Sequence, residues 1–329
     1  MRRRKALLAL GVIALSMPIT AVAQTQARVW RIGILATRAR PKSMQSDPYG
    51  TIPKALHDLG YIEGKNVMYE WRFAAGDYAL LPALAAELVQ LKVDLIFAVS
   101  GPATRAAQKT TQTIPIVMGT SYDPVRSGFV KSLSHPGGNV TGLSSMNEEL
   151  VAKHLELLIA IVPKLSRAAV LLNFGNPGHR ATLKSIEAES STRNISVLPF
   201  DSRTPEDIRR SFAAMKERHV EGLIVGRDPL ILQQHDEIVA LAAAARIPAI
   251  YPNEEYAGES GLISYGSNSA DHYRRAAVLV DRILKGARPA DLPVEQPTKF
   301  TLKINVRSAR ALGITIPPSV LLRADEVIQ

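Results

Sequence analysis

Short apolar runs rich in Val and Ile alternate with longer amphipathic stretches along most of the chain, and this rhythm restricts the fold more than any other feature. The runs at residues 29–36, 67–73, 93–99, 114–119 and 140–143 form one set of candidate strands. Residues 168–173, 195–200, 222–226, 247–251 and 261–265 form a second. Near-continuous hydrophobicity, as in Leu95-Ile96-Phe97-Ala98-Val99, suits parallel strands covered on both faces. Between them, Val151, Leu155, Leu158 and Val162 make one apolar helical stripe, and residues 80–91, 181–190, 205–218, 230–245 and 272–285 pattern similarly. Strand–helix alternation of this length predicts an α/β protein with parallel sheets. Ten strands split naturally into five and five. The break falls near residues 142–146, after His135-Pro136-Gly137-Gly138-Asn139, which reads as a turn ending a helix and starting a strand. The expected architecture is two Rossmann-like lobes joined by a short hinge. Residues 28–143 with about 268–296 make lobe 1, and 144–267 with about 297–329 make lobe 2.

The N-terminus does not belong to that pattern. Arg2, Arg3, Arg4 and Lys5 precede an apolar run over residues 6–15, and Ala21-Val22-Ala23 follows. A basic start, a short apolar centre and an A-x-A site predict a cleaved secretory signal peptide over residues 1–23. The run is shorter than the roughly 20 residues of a membrane span. Cleavage leaves 306 of the 329 residues. It removes four positive charges and no acidic ones, taking the formal charge from +10 to +6. No basic cluster with interleaved aromatics follows, so no nucleic-acid partner is expected. The chain has no cysteine, which excludes a thiol nucleophile, a disulfide framework and a lipid-modified cysteine. A free periplasmic protein, expected to be a monomer, fits these features.

Enzyme motifs are sparse. Gly142-Leu143-Ser144-Ser145-Met146 lacks the last glycine of a nucleophile elbow. Gly60-Tyr61-Ile62-Glu63-Gly64-Lys65-Asn66 is too short for a P-loop and reads as a helix end turning into the next strand. The seven histidines are scattered without metal-ligand spacing. Neither a cofactor nor a metal is expected, nor an enzymatic role. The informative segments follow the strands, where open α/β sheets bind ligands. Ser100-Gly101-Pro102-Ala103-Thr104 opens a helix, and its free N–H groups and dipole suit a carboxylate. Thr37, Ser121, Asp123, Asn173, Asn176, Asp228, Asn253 and Tyr265 sit in or beside comparable polar loops. Asp123 and Asp228 also read as plain helix N-caps. With Ser100, Gly101, Ala103 and Thr104, these residues are the candidate site for a small polar molecule, with no nucleophile–base pair among them.

Specific runs then carry a resemblance. Asp123-Pro124-Val125 with Gly128-Phe129-Val130-Lys131-Ser132-Leu133 and His135-Pro136-Gly137-Gly138-Asn139-Val140-Thr141-Gly142 is one. Leu59-Gly60-Tyr61 with Glu63-Gly64-Lys65-Asn66-Val67, followed by residues 72–77, is another. The tail adds Asp291-Leu292-Pro293-Val294-Glu295-Gln296-Pro297 and Ala311-Leu312-Gly313-Ile314-Thr315-Ile316-Pro317-Pro318-Ser319. Over nearly all of the chain after the leader, the sequence resembles the tryptophan/tyrosine-type ABC transporter substrate-binding family. The resemblance implies a type I periplasmic-binding fold, a ligand captured between two lobes and delivery to a membrane permease. It also implies a carboxylate at residues 100–104, with Asp228 in the place of an acidic residue that meets an α-amino group. Arg38, Arg40 and Lys42 depart from the His-Pro pattern of aromatic-binding members and leave room for a more acidic ligand. A ligand sensor partnering a receptor and an exported α/β enzyme are the alternatives.

Overall fold

A computed structural model describes residues 28–45, 47–257 and 260–329. The signal peptide predicted over residues 1–23 lies outside them. In chain order the strands and helices are β1 (Trp30–Ala36), α1 (Thr51–Asp58), β2 (Val67–Phe73), α2 (Leu81–Gln90), β3 (Leu95–Ala98), α3 (Gly101–Thr110), β4 (Ile116–Ser121) and β5 (Val140–Ser144). There follow α4 (Asn147–Ile161), β6 (Arg167–Leu172), α5 (Gly178–Ser191), β7 (Ser196–Asp201), α6 (Pro205–Glu217), β8 (Gly222–Val225), α7 (Pro229–Gln233), α8 (His235–Ala244), β9 (Ala249–Tyr251) and β10 (Ile263–Gly266). The chain ends with α9 (Ser269–Leu284), β11 (Thr301–Asn305), α10 (Val306–Leu312), α11 (Pro318–Leu321) and β12 (Glu326–Ile328).

Two sheets result. The first has the order β2-β1-β3-β4-β5 and is parallel throughout. The second runs β12-β11-β10-β9-β8-β6-β7, with β11 antiparallel to β10. The expected division of five strands and five is therefore corrected to five and seven. The additional strands are hard to see in sequence: β11 is only partly buried, and β12 is three largely exposed residues. Each sheet is covered on both faces, as the continuous apolar runs require. In the first, Ile32, Ile34 and Phe97 pack against α1 and α9, whereas Leu35, Ile96 and Met118 face α2 and α3. In the second, Leu155 and Leu158 of α4 cover Val170 and Ile250, and Ile208, Phe212 and Ile238 of α6 and α8 cover the opposite face.

Two helix expectations change. Gln234 interrupts the helix expected over residues 230–245, which becomes the short α7 and then α8, and its side chain does not cap α8. No helix joins β4 to β5: residues 122–139 form turns, rich in Pro, Gly and Ser. The space a crossover helix would fill is occupied by α9, which packs on β4, β5 and α1. Its aromatic anchor in that core is Tyr273, beside Ala276, Ala277, Val280 and Ile283. At the P-loop look-alike, α1 ends and the chain turns into β2, with the Asn66 amide donating to the Gly60 carbonyl oxygen and its own oxygen accepting from the Ile62 N–H.

The chain passes between the sheets three times, at residues 145–146, 267–268 and 296–300. The first and third passages are tied together, because the Ser144 N–H donates to the Glu295 carbonyl and the Glu295 N–H to that of Gly142, each at 2.9 Å.

Candidate functional site

The C-terminal ends of the strands in both sheets face a cleft of about 270 Å³. Loops from both sheets line it, so any molecule bound there touches both lobes.

From the first lobe comes the start of α3. Ser100 is extended (φ −153°, ψ 169°) and makes no side-chain cap, and Pro102 supplies the fixed φ of a first turn. The Ser100 hydroxyl is buried and has no partner, and the same holds for the Thr120 hydroxyl at the end of β4; both residues line the cleft. A buried hydroxyl without a hydrogen bond costs about 1–3 kcal/mol. Two of them beside a free helix N-terminus make a place that an anion stabilises.

From the second lobe comes Asp228, 2% exposed. It caps α7 through the Leu230 N–H at 3.0 Å, and the side-chain amides of Asn173 and Asn176 donate to it at 3.2 and 3.0 Å. Tyr78, which precedes α2 in the first lobe, donates its hydroxyl across the cleft to both carboxylate oxygens, at 3.0 and 3.1 Å. Burial, with Asp228 adding to it, holds the Tyr78 hydroxyl well above the usual tyrosine range, so it remains a donor. A second bridge joins Tyr122 of the first lobe to His179 of the second. Their rings stack at 5.5 Å, and the hydroxyl meets Nε2 at 2.7 Å. The Asn173 N–H donates to His179 Nδ1 at 2.7 Å, which leaves the imidazole proton on Nε2.

Four cationic side chains reach the lining: Arg38, Arg105, Lys109 and Arg227. Arg38 is neutralised by Asp47 and lies 4.0 Å over the Tyr49 ring. Arg105 lies 4.5 Å from the Phe129 ring centre and donates to the Ser127 carbonyl. Arg227 donates to the Ser267 hydroxyl at 3.2 Å.

Six of the twelve expected residues line the cleft: Ser100, Gly101, Ser121, Asn176, Asp228 and Asn253. The other six do not. Ala103 and Thr104 lie on the side of α3 turned to the sheet, fully buried, with the Thr104 hydroxyl donating to the Ser100 carbonyl. Thr37 is fully buried behind Arg38 and close to Tyr49. Asp123 accepts from the N–H groups of Val125 and Arg126, closing a turn; no helix follows it. Asn173 acts behind the lining by holding Asp228. Tyr265 packs on Phe300 and accepts from His154 through its carbonyl, away from the cleft. Sequence reasoning missed Tyr78, Arg105 and Phe129, and it placed Tyr122 and Arg227 in strand-end loops without assigning them to the site. Among the described residues, no group of three or more acidic or histidine side chains is placed to hold a metal.

Two α/β lobes with a hinge of three passages and a cross-lobe cleft define a type I periplasmic-binding fold, the architecture of proteins that clamp a solute. The family model described as ABC transporter substrate binding protein matches residues 41–328, and the chain belongs to that family. It is 29% identical over 261 residues to a tyrosine-binding protein of Clostridioides difficile (strain R20291), spanning 79% of this chain and 75% of the relative. It is also similar to an ABC domain from Streptococcus pneumoniae solved in complex with L-Trp, at 26% identity and TM-score 0.81, covering 91% of this chain and 100% of the other. A ligand-free, open substrate binding protein from Clostridium difficile is 25% identical, with TM-score 0.61 over 92% of this chain and 99% of that one.

Proposed function

We propose that this protein is the solute-capturing component of an ABC importer. It closes its lobes on a small carboxylate-bearing solute, an amino acid or a related acid, in the periplasm and delivers it to the permease without chemical turnover. The observation that carries this reading is the uncapped start of α3, with the partnerless Ser100 and Thr120 hydroxyls, opening into a cleft that both lobes line. The tyrosine-binding and L-Trp-bound relatives support a ligand of amino-acid size. The basic leader and A-x-A site support export, and the absence of cysteine supports a protein without a lipid anchor.

Native mass spectrometry of the protein purified from its own host identifies the retained solute, and calorimetry measures its affinity. A Cβ on Gly101 would meet no protein atom within 4 Å, so Gly101→Leu is expected to fold normally and to bind that solute at least about tenfold more weakly. Unchanged affinity would remove the α3 site from the reading. Unchanged uptake of the solute in a deletion strain would remove the importer role, and recovery of the protein with residues 1–23 intact in the cytoplasmic fraction would remove export.

A further inference from the structure

The charges around the cleft do not match a zwitterion. Arg38 has its own carboxylate in Asp47. Arg105, Lys109 and Arg227 form no ion pair among the described residues, yet all three reach the lining. The lining carries one carboxylate, that of Asp228, and its acceptor positions are already taken. Tyr78, Asn173 and the Leu230 N–H donate to Oδ1; Tyr78 and Asn176 donate to Oδ2. A carboxylate offers about four lone-pair positions, so an ammonium arriving at Asp228 would have to displace neutral donors, among them Tyr78, which also ties the two lobes together. Among the described residues, the cleft therefore has cations to satisfy and no open carboxylate for an amine.

The cations are ordered along one element. Gly101, Pro102, Arg105, Ala106 and Lys109 are on the cleft side of α3, the spacing of one helical face. At 1.5 Å per residue, Arg105 lies about 6 Å along the axis from Gly101, and Lys109 about 12 Å. Arg105 is also held in place: its guanidinium lies against Phe129 and donates one N–H to the Ser127 carbonyl, which leaves its other donors for a ligand. The first turn of α3, with the buried, partnerless Ser100 hydroxyl, is one anion position; Arg105 with Lys109 is another, roughly one helical turn away.

We propose that the cleft selects a small organic acid with two carboxylates and no α-ammonium. One carboxylate sits at the Ser100 end of α3, the second on Arg105 and Lys109, and a flat apolar body lies between them near Tyr78 and Tyr122. This rests on the carboxylate-binding reading above and specifies its substrate class. A dianion places a counter-charge beside the half-buried Arg105 and the exposed Lys109, neither of which has a carboxylate partner among the described residues.

The test is calorimetry on the full mature chain with matched pairs: benzoate against terephthalate, 3-phenylpropionate against phenylsuccinate, and 3-(4-hydroxyphenyl)propionate against L-tyrosine. Diacids are expected to bind at least about tenfold more tightly than their monoacids, and the amine of tyrosine to bring no gain. Arg105→Gln is expected to erase the diacid advantage, so that each diacid binds no more tightly than its monoacid partner; Arg105→Lys restores part of that advantage. Melting curves of both variants report whether the Phe129 contact still supports the fold. Tyrosine binding more tightly than its deamino analogue, or a diacid preference that survives Arg105→Gln, overturns the proposal. Monoacid or tyrosine binding that Gly101→Leu abolishes, without any diacid preference, sinks this inference and keeps the carboxylate reading. If no acid binds at all, both fall.

Discussion

His272, on α9, is 2% exposed, and neither ring nitrogen has a hydrogen-bond partner in good geometry. Burial, with Arg227 and Arg275 adding to it, pushes its pKa down to about 3. Burial does the same to His154 on α4, down to about 4, although that imidazole donates to the Tyr265 carbonyl. Both are therefore neutral in the folded chain at pH values where an unfolded histidine, near pH 6.5, takes up a proton. Their contribution to stability is complete above about pH 6.5 and is lost as pH falls toward 4 and then 3. Each histidine steepens the loss by about 1.4 kcal/mol per pH unit inside its window. Urea midpoints measured from about pH 7 down to pH 4 should fall with acid, and His272→Leu should flatten the slope. An equal slope in the variant would mean that His272 is not held neutral. At this scale sequence reasoning found residues that follow strands, such as Ser100 and Asp228, because sheet topology places strand ends together. It missed Arg105, whose position on α3 reads as ordinary amphipathic patterning, and Phe129, which lies in a turn expected to be helix. Whether a side chain on a buried helix faces sheet or cleft depends on rotation about the axis, which separates Ala103 and Thr104 from Arg105.

The elements were more legible than the side chains. β1, β5 and β8 fall within a residue or so of the apolar runs, since strands buried on both faces leave continuous hydrophobic text. Where an element is partly exposed or very short the signal disappears, as for β11 and β12. The missing helix between β4 and β5 was illegible for another reason: the element that fills its place, α9, comes from far along the chain, after the whole second lobe has begun and nearly ended. Its apolar face closes the first sheet, and Val280 at the centre is fully buried beside Leu279 and Ile283. Val280→Ala is expected to cost about 2 kcal/mol, from lost burial and the cavity left behind. Chemical denaturation reports the loss. A change below about 0.5 kcal/mol, the range of surface substitutions, would mean that α9 contributes little to that core.

For the molecule as a whole, the two lobes meet through hydrogen bonds across the cleft, Tyr78 to Asp228 and Tyr122 to His179. Gly178, at the start of α5, belongs to this contact: a Cβ there would lie 2.3 Å from the Tyr122 ring across the cleft. The clash falls on closure and leaves each lobe's own core untouched. Gly178→Ala should penalise the closed form by roughly 1–3 kcal/mol, the usual cost of overpacking, and weaken ligand binding about tenfold. Small-angle scattering should then show a wider molecule at subsaturating ligand. Equal affinity and equal shape would place Tyr122 elsewhere in the closed state. The path of the chain has a consequence of another kind. The sheet that is synthesised first is only partly covered on one face, by α1, until α9, ending at Leu284, has been made. A growing chain therefore carries an unfinished first lobe through most of its synthesis, and compaction waits for nearly the last part of the message. If the chain is exported as proposed above, that delay keeps it threadable while it crosses the membrane.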